Sequence, residues 1–116
     1  MIADERRFCE LLAQMIKESN LSNVKFYTAL GIKKPYFYDI LGGKVNPPPR
    51  DRQFAMLRLL KPTDEQKALF FDLAAKERNE VPADIAVQLE KSEIRKNLRK
   101  DIDYTTLLEN GDNQNG

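Results

Sequence analysis

The side chains with the clearest chemical potential are concentrated in residues 33–41. Apolar side chains recur there at Phe37, Ile40 and Leu41, so a helical period turns the amines, phenols and carboxylate of the segment to the opposite side. Lysine amines donate to O6 and N7 of guanine, a tyrosine stacks or donates a hydrogen bond, and a carboxylate accepts from N4 of cytosine. As a helix in the major groove of DNA, the segment would present to base edges Lys33, Lys34, Tyr36, Tyr38 and Asp39.

Each of these five side chains also has a simpler interpretation. Lys33 and Lys34 can be charges that are only solvated, and Tyr36 and Tyr38 can be rings packed on the surface of a helical bundle. Asp39 can be an acidic residue of a first helical turn or an i,i+4 ion-pair partner. The sequence leaves both interpretations open at each position.

Polar and basic residues on both sides of this segment are suited to contact DNA phosphates. Such contacts set the position of a protein on the duplex and use hydroxyl, amide, amine and guanidinium donors. A basic residue at these positions can equally belong to an exposed helix face, and Arg52 is the clearest example. The predicted phosphate-contacting residues are Ser22, Asn23, Lys25, Lys44, Asn46, Arg50 and Arg52.

The spacing of apolar residues predicts three helices in the first part of the chain. A first helix is expected over residues 4–19, where one face is apolar throughout. Ser22 is suited to cap a short second helix, and Gly31 is suited to end it in a left-handed conformation. The third helix is expected at about residues 34–41 and stops at Gly42-Gly43.

Residues 44–49 contain three successive prolines and form the strongest helix breaker in the chain. A proline-rich binding motif is one interpretation of the segment, and a rigid connector between packed helices is the favoured one, because apolar periodicity resumes at once. A fourth helix is predicted from Arg50 and closed by Pro62. Thr63 and Gln66 have the spacing of a capping box for a fifth helix.

The last part of the chain predicts further, less apolar helices. Val81-Pro82 opens a short one, and Ser92 is predicted to cap the last. Residues 109–116 have the composition of a disordered end. Because no alternation of apolar and polar residues persists anywhere, the fold class predicted for the whole chain is all-α.

A set of apolar residues in the second half recurs without enough surrounding chain to enclose it. This set is a candidate dimer interface, since small DNA-binding proteins commonly pair as twofold dimers to double the half-site. The other interpretation is that the same residues fold back over the fifth helix of their own subunit. The residues are Ile85, Leu89, Ile94, Leu98, Ile102 and Leu107.

Several short motifs in residues 21–47 occur together in one known family. Leu21-Ser22 stands at the start of the second helix, and Leu30-Gly31-Ile32 forms the turn after it. Phe37 and Ile40 supply two apolar residues three apart, and Gly43-Lys44 followed by Asn46-Pro47 leaves the third helix. As an ensemble these residues resemble the phage-repressor family of the Cro-like, xenobiotic-response-element type.

The resemblance covers roughly residues 4–75 and implies a λ-repressor-like five-helix helix-turn-helix bundle, followed here by a C-terminal helical extension. It implies a DNA-binding domain over residues 1–79 and an extension over 80–108 that is available for dimerisation, before the tail at 109–116. The implied function is a sequence-specific repressor or autorepressor of a bacterial or mobile-element operon that binds double-stranded DNA as a homodimer. A protein-binding inhibitor or adaptor on the same scaffold, of the anti-CRISPR type, is the alternative.

Two positions depart from the family pattern. Asn23 stands where a glutamine usually steadies a phosphate, and Tyr27 stands where a small residue usually packs against the recognition helix. A tyrosine at that contact is expected to push the two helices apart or to turn outward. Downstream, residues 70–75 and 81–85 resemble uncharacterised regulators of the same family from bacteria and mobile elements.

Composition argues against several other classes of protein. The chain has no His and a single cysteine, Cys9, so it lacks an internal disulfide, a His-containing zinc site and a Ser/His/Asp triad. We therefore expect neither an enzyme nor a metal or other cofactor. No apolar run approaches the roughly 20 residues of a membrane span, and no secretion signal is recognisable at the N-terminus, so a cytoplasmic protein without a membrane partner is expected.

Charge is divided unevenly along the chain. Residues 1–61 hold 11 Lys and Arg against 6 Asp and Glu, a net charge of +5, whereas residues 62–116 hold 8 against 12, a net charge of −4. The excess is greatest between Lys25 and Lys61, with 8 basic and 2 acidic residues. This basic segment contains most of the predicted DNA contacts, and the acidic half offers a surface for a protein partner.

Overall fold

The computed structural model describes residues 5–110, and within that range the chain forms eight α-helices and no β-strand. The all-α prediction is therefore confirmed. The helices are α1 (Phe8–Ser19), α2 (Asn23–Leu30), α3 (Lys34–Leu41), α4 (Arg50–Leu60), α5 (Asp64–Arg78), α6 (Ala83–Leu89), α7 (Ser92–Arg99) and α8 (Tyr104–Asn110).

The chain divides into two compact units, Met1–Asp84 and Ile85–Gly116. The first unit holds α1 to α5 and the first residues of α6, and Ala83 is buried in its core. Of the tail predicted at 109–116, residues 109 and 110 belong to α8, and residues 111–116 lie outside the described part of the chain.

The core of the first unit is built around α1. Its five buried side chains recur at the helical spacing that the sequence predicts, and α1 packs against α3, α4 and α5. The rings of Phe8 and Phe70 lie 4.9 Å apart between their centroids, which joins α1 to α5. The buried residues of α1 are Phe8, Leu11, Leu12, Met15 and Ile16.

Local capping contacts are present at the start of several of these helices. The Ser22 hydroxyl oxygen accepts from the backbone N–H of Lys25 at 3.1 Å, as predicted for α2. At the start of α1 the structure differs from the sequence prediction, because the helix begins at Phe8 rather than at residue 4. Arg7 is extended there, and its backbone N–H donates to the Glu10 carboxylate at 2.9 Å.

The predicted capping box of α5 is confirmed and has a further contact. The backbone N–H of Gln66 donates to the Thr63 hydroxyl at 3.1 Å, and the Gln66 side-chain oxygen accepts from the Thr63 backbone N–H at 3.2 Å. The Gln66 amide also donates to Glu18 at 2.8 Å, which lowers the pKa of that carboxyl. One side chain therefore caps α5 and ties it to α1.

A polar clamp joins the start of α1 to α5 and to the turn after α3. The Glu77 carboxylate accepts from the backbone N–H of Phe8 at 2.6 Å and from the Arg7 guanidinium at 3.1 Å. This pairing raises the pKa of Arg7. Arg7 also donates to the Gly43 carbonyl at 3.3 Å. A side chain at Gly43 would overlap the Arg7 guanidinium and lie 3.2 Å from the half-buried Cys9 sulfur, so the clamp needs glycine there.

We expect Gly43→Ala to lower the free energy of unfolding more than Gly31→Ala does. Both glycines are left-handed, with φ of +71° and +73°, so alanine costs about 1–2 kcal/mol at either one. Only at Gly43 does the added carbon meet neighbouring atoms, since nothing lies within 4 Å of it at Gly31. Urea unfolding of the two variants measures the difference.

Arg7→Ala provides the control for this comparison. In an Arg7→Ala background, the excess cost of Gly43→Ala over Gly31→Ala is expected to shrink, because only the contact with the Cys9 sulfur at 3.2 Å then remains. Equal losses for the two glycine variants in the unmodified chain would contradict the steric role of the clamp.

The second unit is formed by short helices that bury little of their own surface. No residue from 85 to 110 is buried. The predicted cap at Ser92 is wrong, because Lys91 is the extended residue before α7 and Ser92 is already helical. Arg95 closes the connection from α6 by donating to the carbonyls of Leu89 and Glu90 at 2.9 and 2.7 Å.

Helix α8 was not predicted from the sequence, because its apolar residues are too few to show a period. Its start is stabilised by Asp103, whose carboxylate accepts from the Thr106 hydroxyl at 2.9 Å and from the backbone N–H groups of Thr105 and Thr106. These hydrogen bonds, the hydroxyl of Thr106 first, lower the pKa of Asp103.

Helix α8 is expected to lose stability in acid. Because the pKa of Asp103 is lowered in the folded helix, the cap stabilises α8 fully above the ordinary value of 3.8 and is lost as the pH falls through the lower folded value. Carbon chemical shifts of residues 104–110, followed from about pH 6 to about pH 2, report the helix content. Asp103→Asn keeps an acceptor without the titration, so an unchanged acid transition in that variant would contradict the assignment.

Candidate nucleic-acid interface

Helices α2 and α3 are joined by a tight turn, Gly31–Lys33. Gly31 is left-handed, and its backbone N–H donates to the Thr28 carbonyl at 3.0 Å. The N–H of Ile32 donates to the Tyr27 carbonyl at 3.1 Å, and the Ile32 side chain is buried in the core. The turn is therefore fixed by hydrogen bonds and by an apolar anchor, as well as by the conformation of glycine.

Helix α3 separates buried from accessible side chains as its sequence predicts. Phe37 and Ile40 are buried, and Pro35 occupies the first turn, where it displaces no helical hydrogen bond. The five predicted base-contacting residues differ in exposure. Lys33, Lys34 and Tyr38 are exposed, whereas Tyr36 and Asp39 are half-buried.

Four aromatic rings form a continuous cluster between α2 and α3. The Phe37 ring lies 5.9 Å from Phe26, 5.3 Å from Tyr27 and 5.0 Å from Tyr38, between ring centroids. Tyr27 also meets Tyr38 edge-on at 6.5 Å. Tyr27 is thus part of the α2–α3 contact and does not turn outward, and its ring supports Tyr38, which remains 42% exposed.

The backbone of Asp39 helps to end α3, whereas its side chain has no partner within residues 5–110. Its carbonyl accepts from the backbone N–H of Lys44 at 2.9 Å, which together with the left-handed Gly43 closes the end of α3. Within residues 5–110 its carboxylate makes no hydrogen bond and no ion pair, so the alternative role as an ion-pair partner finds no support there. The carboxylate is free to accept from an external donor.

The segment after α3 is held against the first unit through two backbone carbonyls. Pro47 and Pro48 are buried, and their carbonyls accept from the Arg78 guanidinium at 2.8 Å and from the Gln53 amide at 2.9 Å. Arg78 is itself fixed by a paired contact with Glu80. The burial of this segment agrees with the prediction of a connector between packed helices. It also makes Pro47 and Pro48 inaccessible to a proline-binding partner.

The predicted phosphate-contacting residues lie in and around α2, in the connector and at the start of α4, and two of them, Ser22 and Lys25, are hydrogen-bonded to each other. Within residues 5–110, Lys25, Lys33, Lys34 and Lys44 make no ion pair, so their charges are not compensated by nearby acids. Ser22 caps α2 and is exposed. Asn23 and Arg52 are half-buried, and the other exposed members are Lys25, Lys44, Asn46 and Arg50.

The residues of the candidate dimer interface are spread over α6, α7 and α8 and the link between the last two helices. Ile85, Leu98 and Leu107 are 48%, 52% and 48% exposed, and Ile102 is also exposed. Leu89 and Ile94 are half-buried. Four of the six predicted residues therefore have accessible apolar side chains.

The positioning residues Gln53, Glu77 and Arg78 were missed by the sequence analysis. Gln53 carried a usable signal, because it occupies the same helical stripe as Met56, Leu57 and Leu60 at the spacing of a buried position. Arg78 carried none, since a basic residue is ordinary in the last turn of a helix, whereas Glu77 is an acid at the negative end of the α5 dipole, which is a weak signal of a partner elsewhere.

Residues 5–110 have neither a metal-binding cluster nor a membrane-spanning helix. That part of the chain has no group of three or more His, Cys, Asp or Glu side chains placed to hold a metal ion. None of its helices has both the length and the apolar character needed to cross a membrane. Comparisons with protein-family models, curated proteins and solved structures found no match to this chain.

Gln53→Ala is expected to lower the free energy of unfolding by about 1–3 kcal/mol, because it leaves the buried Pro48 carbonyl without a donor. The side-chain oxygen of Gln53, Oε1, is buried and has no hydrogen-bond partner within the described residues. Removing this unsatisfied oxygen is favourable, so it offsets part of the stability that is lost with the hydrogen bond to Pro48. Urea unfolding measures the change. The exposed Gln88→Ala is the control, with an expected change within about 0.5 kcal/mol, and an equal effect of both variants would refute the anchoring role.

Proposed function

We propose that this chain is a sequence-specific regulator of transcription that binds double-stranded DNA, a repressor or autorepressor of a bacterial or mobile-element operon. In this proposal α2, the Gly31–Lys33 turn and α3 act as a helix-turn-helix within a λ-repressor-like bundle, and α3 enters the major groove. The observation that carries the proposal is the division of α3 into an anchored side, with Phe37 and Ile40 buried, and an accessible side at whose start Lys33 and Lys34 make no ion pair within residues 5–110.

The dimensions and composition of α3 support base contact. With eight residues, the helix is about 12 Å long, and a helix with side chains is about 10–12 Å wide, which suits a major groove about 12 Å wide. Lys33 and Lys34 lie at its N-terminal end, the end that meets base edges in helix-turn-helix proteins. Tyr38 is supported by two other rings, so little conformational freedom is lost when its phenol contacts a base.

The neighbouring segments supply the phosphate contacts in this proposal. The N-terminal end of α2, capped by Ser22 and followed by Lys25, presents backbone N–H groups and a positive charge. After α3, Lys44 and Asn46 lie on the connector that Arg78 and Gln53 hold in place. Asn23, Arg50 and Arg52 complete the set.

Dimerisation is assigned to the second unit. Its exposed apolar residues, Ile85, Leu98, Ile102 and Leu107, give each copy a surface that a twofold partner can cover. A homodimer doubles the half-sites read by α3. Residues 62–116 carry a net charge of −4, and this acidic character also suits a separate protein partner.

One observation favours a second candidate function, a protein-binding inhibitor or adaptor. The Asp39 carboxylate is unpaired within the described residues and lies on the helix that would approach a polyanion. A carboxylate at that place repels the phosphates of DNA, whereas it attracts a basic protein surface. Salt dependence separates the two functions, because only the DNA-binding function requires the release of counterions from phosphate.

The experiment begins with selection of bound sequences from random duplex DNA by the full chain. On the enriched duplex, the logarithm of the binding constant is expected to fall linearly with that of the salt concentration, at about −0.9 per phosphate neutralised. Four predicted phosphate-contacting cations, Lys25, Lys44, Arg50 and Arg52, give a slope of roughly −3 to −4 per chain. Absence of an enriched duplex, together with salt-insensitive capture of a protein partner, would support the adaptor instead.

Three sets of variants assign the roles. Lys33→Ala with Lys34→Ala and Tyr38→Ala is expected to abolish selective binding without changing the helical circular dichroism. Lys25→Ala with Lys44→Ala should weaken all sequences alike and reduce the salt slope by about 2. Lys17→Ala with Lys76→Ala, which removes exposed lysines of α1 and α5, is the control. Unchanged selectivity of the triple variant in a gel-shift assay would remove α3 from the reading role.

A further inference from the structure

A groove between α4 and α5 has an apolar floor and a cationic rim. Its volume is about 400 Å³, within the range of about 300–1,000 Å³ that small-molecule sites occupy. Two aromatic rings of the floor, Phe54 and Phe71, lie 5.1 Å apart at a tilt of 50°. The floor is formed by Phe54, Leu57 and Phe71, and the rim by Arg58, Lys61 and Lys67.

The charge of the rim is largely uncompensated. Lys67 is paired with Asp64 at 3.2 Å, and both side chains are well exposed, so the pairing neutralises it only weakly. Arg58 and Lys61 make no ion pair within residues 5–110. A group that enters the groove therefore meets at least two positive charges above an apolar surface.

Lys61, one of the rim residues, has an unusual backbone conformation. Lys61 ends α4 in the left-handed conformation, with φ of +49°, and its N–H donates to the Leu57 carbonyl at 2.9 Å. The other non-glycine residues with positive φ in the described part of the chain are Asn20 and Asn79, and asparagine tolerates this conformation. The positive charge of Lys61 complements the negative end of the α4 dipole, and the cap places this residue at the rim of the groove.

We propose that this groove binds an amphipathic carboxylate, a small molecule with a hydrocarbon body and one anionic end. The hydrocarbon body lies against Phe54 and Phe71, and the carboxylate accepts hydrogen bonds from Arg58 and Lys61. Charge complementarity selects an anion over a neutral or cationic ligand of the same shape. This site goes beyond DNA binding and does not rest on it, because none of its residues belongs to α2, α3 or the connector.

The test is a titration of the full chain, labelled with ¹⁵N, with octanoate below its micelle concentration, followed by two-dimensional NMR. Octanol and octylamine are the matched neutral and cationic probes. Octanoate is expected to shift amide signals of residues that line the groove in a saturable way. Octanol should bind roughly three- to ten-fold more weakly, which corresponds to the loss of exposed charge contacts, and octylamine more weakly still.

Variants locate the site. The double variant Arg58→Glu with Lys61→Glu is expected to lower the affinity for octanoate. The loss should be at least as large as the difference in affinity between octanoate and octanol for the unmodified chain. The control variant Lys17→Glu with Lys76→Glu should leave the affinity for octanoate unchanged. Lys61→Gly is the variant that cannot fail through misfolding, since it removes the amine while relieving the left-handed conformation. It should raise the midpoint of urea unfolding and still weaken octanoate binding roughly two- to five-fold.

Three results would overturn the proposal. The first is equal affinity for octanoate and octanol, and the second is saturable shifts confined to residues outside the groove. The third is saturation of the groove by a peptide of residues 101–110, which carries acidic and apolar side chains, with no binding of octanoate. That outcome would assign the groove to an acidic protein segment.

Discussion

The burial of one face of α1 is the constraint on which the first unit depends. The apolar side chains of that face fill the space between α3, α4 and α5, and each large side chain removed from water contributes about 1.5–3 kcal/mol. No other helix contacts all three of these neighbours to the same extent. Because α3 is held by the same core through Phe37 and Ile40, its accessible side is defined by what its opposite side buries.

Polar contacts at the edges of this core determine how the ends of the helices meet. Glu77 joins the first residue of α1 to Arg7, and Arg7 reaches the turn after α3. Arg78, the next residue along, holds the connector through the Pro47 carbonyl. Two consecutive residues at the end of α5 thus control both the turn and the connector that follow α3, so the candidate interface depends on a helix outside it.

The two compact units differ in how they are stabilised. In the first unit, apolar side chains are buried, and Lys25, Lys33, Lys34 and Lys44 make no ion pair with any residue in the range 5–110. In the second unit, residues 85–110 bury no side chain fully, and short-range contacts such as those of Arg95 and Asp103 define the helices. The apolar residues that this unit leaves exposed contribute little to its own stability.

The sequence by itself determined where most of the helices lie, because a helix depends on spacing and caps within a few residues. Ser22, Gly31 and the Thr63–Gln66 pair could be assigned for that reason, and so could the buried and accessible sides of α3. Only the tertiary structure decided the contacts of Arg7, which meets Gly43 and Glu77 across 36 and 70 residues of chain. Hydrogen bonds between groups so far apart in the chain follow no sequence period, so no local sequence pattern predicts them. The same holds for the groove between α4 and α5, whose floor and rim come together only when two helices pack.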